Sequence, residues 1–112
     1  MYIPEIVSAF AGEKRNVAIV GIEAHICVTQ TALDLLTAGH GVYIIADGVG
    51  SVNPQEVVVA LERLRHAGAV VTSSESWIFE VMGDAKCEEF RSVSKLIKET
   101  KEGTKEVWKS LM

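Results

Sequence analysis

The chain predicts an α/β fold: a parallel sheet with helices on both faces, in three layers. Three observations carry this. Val17–Gly21, Val42–Ala46 and Ala69–Thr72 are short, unbroken, largely β-branched runs, the pattern of strands covered on both sides. Segments with apolar residues at helical spacing alternate with them. The connections are short, as in parallel βαβ units with right-handed crossovers.

Each element has local signals. Ile3 to Phe10 reads as a short helix or irregular piece feeding the first strand. A helix from Cys27 to Ala38 places Val28, Ala32, Leu35 and Leu36 on one face, and Gly39 and Gly41 stop it. The next helix has Asn53 to cap it, Pro54 at its first position and Glu56 to complete a capping box. Val57, Leu61 and Leu64 form its buried stripe, and Gly68 ends it. Ser74 is expected to cap a third helix, Glu75 to Met82, and a fourth runs from Glu88 to Lys98 with Phe90, Val93 and Ile97 on one face. Lys98 to Lys105 is charged and expected to fray. Residues 99–112 read as a tail whose Val107, Trp108 and Leu111 could dock on the body or on a partner subunit.

Composition limits the function classes. The 112 residues make one domain or part of one. With 48% hydrophobic and 23% charged residues, the chain has the balance of a folded globular protein rather than a disordered one. The net charge of -4 and the lack of a basic stripe argue against a nucleic-acid partner. No apolar run approaches the roughly 18 residues that span a bilayer, so no membrane partner is expected. Met1 to Glu5 lacks the basic and apolar regions of a signal peptide. The cytoplasm is therefore the default compartment, although targeting residues upstream of Met1 would be invisible. Cys27 and Cys87 make no disulfide framework and are expected to be reduced thiols. With His25, His40 and His66 scattered, no metal-ligand spacing exists, and no cofactor is implied.

Ligands in open parallel sheets bind at the carboxyl ends of the strands. Three segments fall there: Gly21 to Cys27, Asp47 to Ser51, and Thr72 to Ser74. Cys27 is the informative residue, because it follows a buried strand and a short turn and opens a helix. Backbone N–H groups at a helix start favour a thiolate over a thiol. The competing reading is a buried structural cysteine. His25 fits a base, a positioning group or a polar loop residue; Glu23 fits an ionised site group or a helix-start residue. Asp47 fits either a ligand contact or a turn before Gly48. Gly48-Val49-Gly50-Ser51 lacks the spacing of a phosphate loop, which ranks a nucleotide-binding half-domain last. Cys87, between Lys86 and Glu88, reads as a surface thiol.

The segment Gly21-Ile22-Glu23-Ala24-His25-Ile26-Cys27-Val28-Thr29-Gln30-Thr31-Ala32-Leu33-Asp34-Leu35 resembles the nucleophile segment of the isochorismatase-like cysteine hydrolases. It is most similar to the eukaryotic isochorismatase domain-containing proteins. Ile44-Ile45-Ala46-Asp47, Ser51, Ala60-Leu61-Glu62-Arg63-Leu64, Gly68 and Val71-Thr72-Ser73-Ser74-Glu75 add support, and the resemblance runs from about Met1 to Lys98. It implies a Rossmann-like sheet of six strands, about three of them present here. It implies Cys27 as nucleophile and a cis peptide at Ile22–Glu23. It also implies an oxyanion hole from the Glu23 and Cys27 N–H groups, with Ile22 and His25 near the substrate. The implied chemistry is hydrolysis of amide-type or related small molecules through a thioester-type intermediate. The family's catalytic Asp and Lys, and its metal ligands where present, find no match in this chain. Met1 to Ile6 resembles the helix just after that Lys, so the chain reads as a C-terminal half, inactive alone, with an exposed edge on its first strand. Homo-oligomers are expected. The alternative is a non-catalytic interaction or oligomerisation module derived from the same fold.

Overall fold

The computed structural model describes residues 2–111, and side chains of residues 2–110. In chain order the elements are α1 (Pro4–Ala9), β1 (Asn16–Gly21), a π-helical turn (Ala24–Val28), α2 (Thr29–Thr37), β2 (Gly41–Val49), α3 (Pro54–Ala67), β3 (Val70–Thr72), α4 (Ser74–Met82), α5 (Phe90–Glu99) and α6 (Lys101–Leu111). The sheet is parallel with order β1-β2-β3. Val17 pairs with Val42 and Ile19 with Ile44, and Ile44 pairs in turn with Val71.

Alternation along the strands sorts the two faces. Val42 and Ile44 are buried with Val28, Ala32 and Leu35 of the α2 region and Val57, Ala60 and Leu64 of α3. Leu35, Ile44, Leu64 and Val57 are the largest fully buried side chains, so the core lies between the sheet and these two helices. Tyr43 points the other way, where α4 covers β2. The Glu80 carboxylate beside it raises the Tyr43 phenol above its usual 10.0, chiefly through a hydrogen bond and then through charge. β1 pairs with β2 alone among the described residues. Its outward-facing Val20 is 63% exposed, which is the open edge the sequence implies.

Several elements differ from the expectation, each for a local reason. β2 continues to Val49 instead of stopping at Ala46. Its register with β1 slips between Ile19 and Gly21, where Gly21 pairs with Val49. Asp47 and Gly48 read as turn residues, yet they ride in this irregularity. A Cβ on Gly48 would come within 2.7 Å of Val20 Cγ1, so the glycine marks a close strand approach. The helix expected from Cys27 begins at Thr29. In the preceding turn the Val28 N–H reaches Glu23 O, five residues back, wider than α-helical spacing.

The α3 cap is Asn53, whose side chain accepts the Gln55 N–H. Glu56 donates its backbone N–H to Asn53 O, and no side-chain bond of Glu56 back to Asn53 is made, so the capping box is not completed. Gly68 closes α3 with φ 111°, the left-handed conformation a helix C-terminus favours. Ser73, not Ser74, caps α4 by accepting the Ser76 N–H, because Ser74 is engaged elsewhere. The stretch expected to fray is helical from Lys101, with Lys105–Glu102 and Lys109–Glu106 pairs one turn apart. Trp108 lines a groove against Val57, Val58 and Leu61 of α3, and Val107 is exposed. The Leu111 side chain lies outside the described residues. Cys87, expected at the surface, is half-buried.

Candidate functional site

The three strand-end segments do converge, and hydrogen bonds knit them. Gly50, in the second segment, binds the first twice: its N–H donates to Gly21 O at 3.2 Å and its carbonyl accepts the Ala24 N–H at 2.8 Å. Two side chains reinforce the link. The Glu23 carboxylate accepts the Val52 N–H at 2.9 Å, and His25 Nδ1 lies 2.9 Å from Ser51 Oγ. Thr29, buried at the start of α2, donates its hydroxyl to Ala24 O at 2.7 Å. The turn carrying Cys27 is thus held from below by Thr29 and from the side by the loop after β2.

Cys27 is exposed, which removes the buried-cysteine reading. Its flanking residues Ala24 and Val28 are buried while Ile26 is exposed, so the turn is anchored on one side and presents the thiol on the other. The Ile22–Glu23 peptide is cis, as the resemblance implies. Ile22 is 71% exposed, and its side chain approaches Gly50. His25 lines a cavity of about 140 Å³ with Thr29, Glu56, Val59, Ala60 and Arg63. Cys27 is not among its lining residues.

Asp47 does not form a turn before Gly48, because β2 runs on to Val49. Its carboxylate accepts both the Ser74 N–H, at 2.7 Å, and the Ser74 hydroxyl, tying the end of β2 to the start of α4. An acidic group there also suits the positive end of a helix. Lys14, in the loop before β1, binds Ala38 O at the end of α2 through its ammonium. Ser51 lay in a strand-end segment and Thr29 in the family-like segment, but neither had an individual role legible in the sequence; their bonds to His25 and Ala24 supply one. Among the described residues, no group of three or more His, Cys, Asp or Glu side chains could hold a metal ion, and no helix is long and apolar enough to cross a membrane.

The isochorismatase domain profile matches residues 6–76. The chain belongs to the isochorismatase family. Among curated isochorismatase relatives, the secreted isochorismatase effector Isc1 of Phytophthora sojae is 44% identical over 102 residues, covering 88% of this chain and 49% of its own length. The isochorismatase domain-containing protein 1 of Danio rerio is 38% identical over 100 residues, covering 88% and 35%. The MAR1 ribonuclease of Caenorhabditis elegans superposes with a TM-score of 0.80 at 38% identity, covering 87% of this chain and 50% of that one. The chain thus spans about half or less of the length of the isochorismatase relatives it matches.

Proposed function

We propose that this chain carries the nucleophile segment of an isochorismatase-like cysteine hydrolase acting on amide-type or related small molecules. The observation that carries the reading is an exposed Cys27 on a turn anchored by the buried Ala24, Val28 and Thr29. In the proposed reaction Cys27 Sγ attacks a carbonyl carbon, and a C–S bond forms. The Glu23 and Cys27 N–H groups hold the oxyanion. The leaving amine departs with the thiol proton, and water then cleaves the thioester to release an acid and the free thiol. Ile22 and His25 border the substrate.

These 112 residues offer no counterpart of the family's Asp and Lys, so the proton transfers need groups they do not hold. The prediction is that the 112-residue chain alone turns over no substrate. In the longest natural form that contains it, Cys27→Ser abolishes hydrolysis of whichever member of an amide and ester panel is cleaved. Hydrolysis that survives Cys27→Ser would sink the reading. The C. elegans neighbour is named a ribonuclease, so the panel includes RNA, although a net charge of -4 does not favour a polyanion.

The second reading, a non-catalytic interaction or oligomerisation module, is favoured by one observation: the open β1 edge with its exposed Val20. It predicts self-association or partner capture that Cys27→Ser leaves untouched. Self-association of the chain, in the cytoplasm or an organelle, belongs to both readings.

A further inference from the structure

The loop after β2 clasps the Cys27 turn twice through side chains, once by its own Ser51 and once by offering the Val52 N–H to the Glu23 carboxylate, and neither bond uses the backbone groups proposed for the oxyanion. The Glu23 carboxylate, which could have been a free ionised group in the site, is occupied by the Val52 N–H at 2.9 Å. Ser51 Oγ holds the His25 ring through Nδ1 at 2.9 Å. Both bonds run between residues two positions from Cys27 or nearer the strand, on one side, and consecutive loop residues on the other. Between them lies the Gly50 carbonyl, which takes the Ala24 N–H at 2.8 Å. Three successive residues of one loop therefore grip three successive residues of the other: Gly50 to Ala24, Ser51 to His25, Val52 to Glu23.

This pattern has a physical consequence. A π-helical turn has wider hydrogen-bond spacing than an α-helix and is uncommon except where function retains it. The turn from Ala24 to Val28 is also short, so cooperative helix propagation contributes little to holding it. Side-chain bonds from outside must fix its geometry. Any group that reacts from such a turn depends on that fixing, because small displacements of a reacting atom cost rate steeply.

We infer that Ser51 and the Glu23 carboxylate are positioning residues: they act on Cys27 through the turn, and do not touch the reacting atoms. The inference rests on the nucleophile reading of Cys27 for its functional meaning. Its structural content, that the clasps order the turn, stands on the hydrogen bonds alone. It also predicts which replacements are tolerated. Glu23→Gln keeps a carbonyl oxygen to accept the Val52 N–H, and Ser51→Thr keeps a hydroxyl beside His25. Glu23→Ala and Ser51→Ala keep neither.

The test measures two things on the 112-residue chain and these four variants, after circular dichroism confirms that each is folded. The first is amide hydrogen exchange of the peptide covering residues 21–28. The second is the ratio of iodoacetamide alkylation rates at Cys27 and Cys87. The inference expects exchange of the 21–28 peptide to accelerate by roughly fivefold in each alanine variant, the scale set by one lost hydrogen bond. It expects the Cys27/Cys87 ratio to fall with it, and both to return toward wild type in Glu23→Gln and Ser51→Thr. Unchanged exchange in the folded alanine variants would overturn the clasp. Faster exchange with an unchanged or raised alkylation ratio would overturn the positioning role. A wild-type ratio near one would instead defeat the nucleophile reading while exchange still judges the clasp.

Discussion

Replacing Thr29 by valine removes one hydrogen bond from beneath the turn that carries Cys27 and changes almost nothing else. Thr29 is 5% exposed and Ala24 1% exposed, so neither the hydroxyl nor the carbonyl it serves can turn to water. The 2.7 Å bond from Thr29 Oγ1 to Ala24 O is therefore lost without replacement. A buried bond of this kind contributes about 1 kcal/mol net, and a poorly satisfied buried acceptor raises the cost toward about 2 kcal/mol. Valine keeps the β-branched shape, so no cavity is added. Thr29→Ser makes the opposite change: it keeps the donor and removes one methyl, worth about 0.8 kcal/mol. The assay is equilibrium urea unfolding followed by circular dichroism. With a denaturant slope of about 1–2 kcal/mol/M for a small domain, Thr29→Val should lower the midpoint by about 1 M. The more hydrophobic variant is thus expected to be the less stable of the two. A Thr29→Val protein as stable as Thr29→Ser, or more so, would refute the argument that this hydroxyl holds the turn.

Three further outcomes are expected. Leu64 is fully buried between α3 and the sheet, so Leu64→Ala should cost about 2–5 kcal/mol in the same unfolding assay; a loss under 1 kcal/mol would mean the core closes around the gap. His40 is buried and accepts the Arg15 N–H at Nδ1, 3.0 Å away, while Nε2 lies 3.1 Å from Tyr2 Oη. His40→Leu should therefore cost about 1–3 kcal/mol by orphaning that N–H, whereas Tyr2→Phe should cost less, and equal losses would contradict the ranking. The Glu80 carboxylate raises the Tyr43 phenol above 10.0, so the folded state holds that proton more tightly than the unfolded chain does. The stabilisation is whole below about pH 10 and fades as pH rises through the raised folded value. Tyr43→Phe should remove this alkaline decline from a pH series of melting temperatures; an identical decline in the variant would count against the pair.

The strands, the α2 and α3 faces and the family membership were legible because each rests on local pattern. Unbroken β-branched runs gave β1 and β3 within one residue, and Asn53-Pro54 with Gly68 bracketed α3 at both ends. What was missed depends on contacts between distant residues. Asp47-Gly48 has turn chemistry, but Asp47 is recruited by Ser74 across 27 residues, and Gly48 is required by Val20. The same recruitment moved the α4 cap from Ser74 to Ser73. The π-helical turn at Cys27 has no periodic signature over five residues, so the helix appeared to start two residues early. Ser51 and Thr29 gained meaning only when the two loops met.

The central claim is that Cys27 is a reactive nucleophile and Cys87 an ordinary thiol. The direct measurement is their separate alkylation rates by iodoacetamide at neutral pH, read from peptide mass spectra over time. Cys27, exposed on a held turn, is predicted to react at least about tenfold faster than the half-buried Cys87 if it is the nucleophile. Slow labelling of both cysteines at similar rates would contradict it, leaving Cys27 as an exposed thiol on a well-held turn.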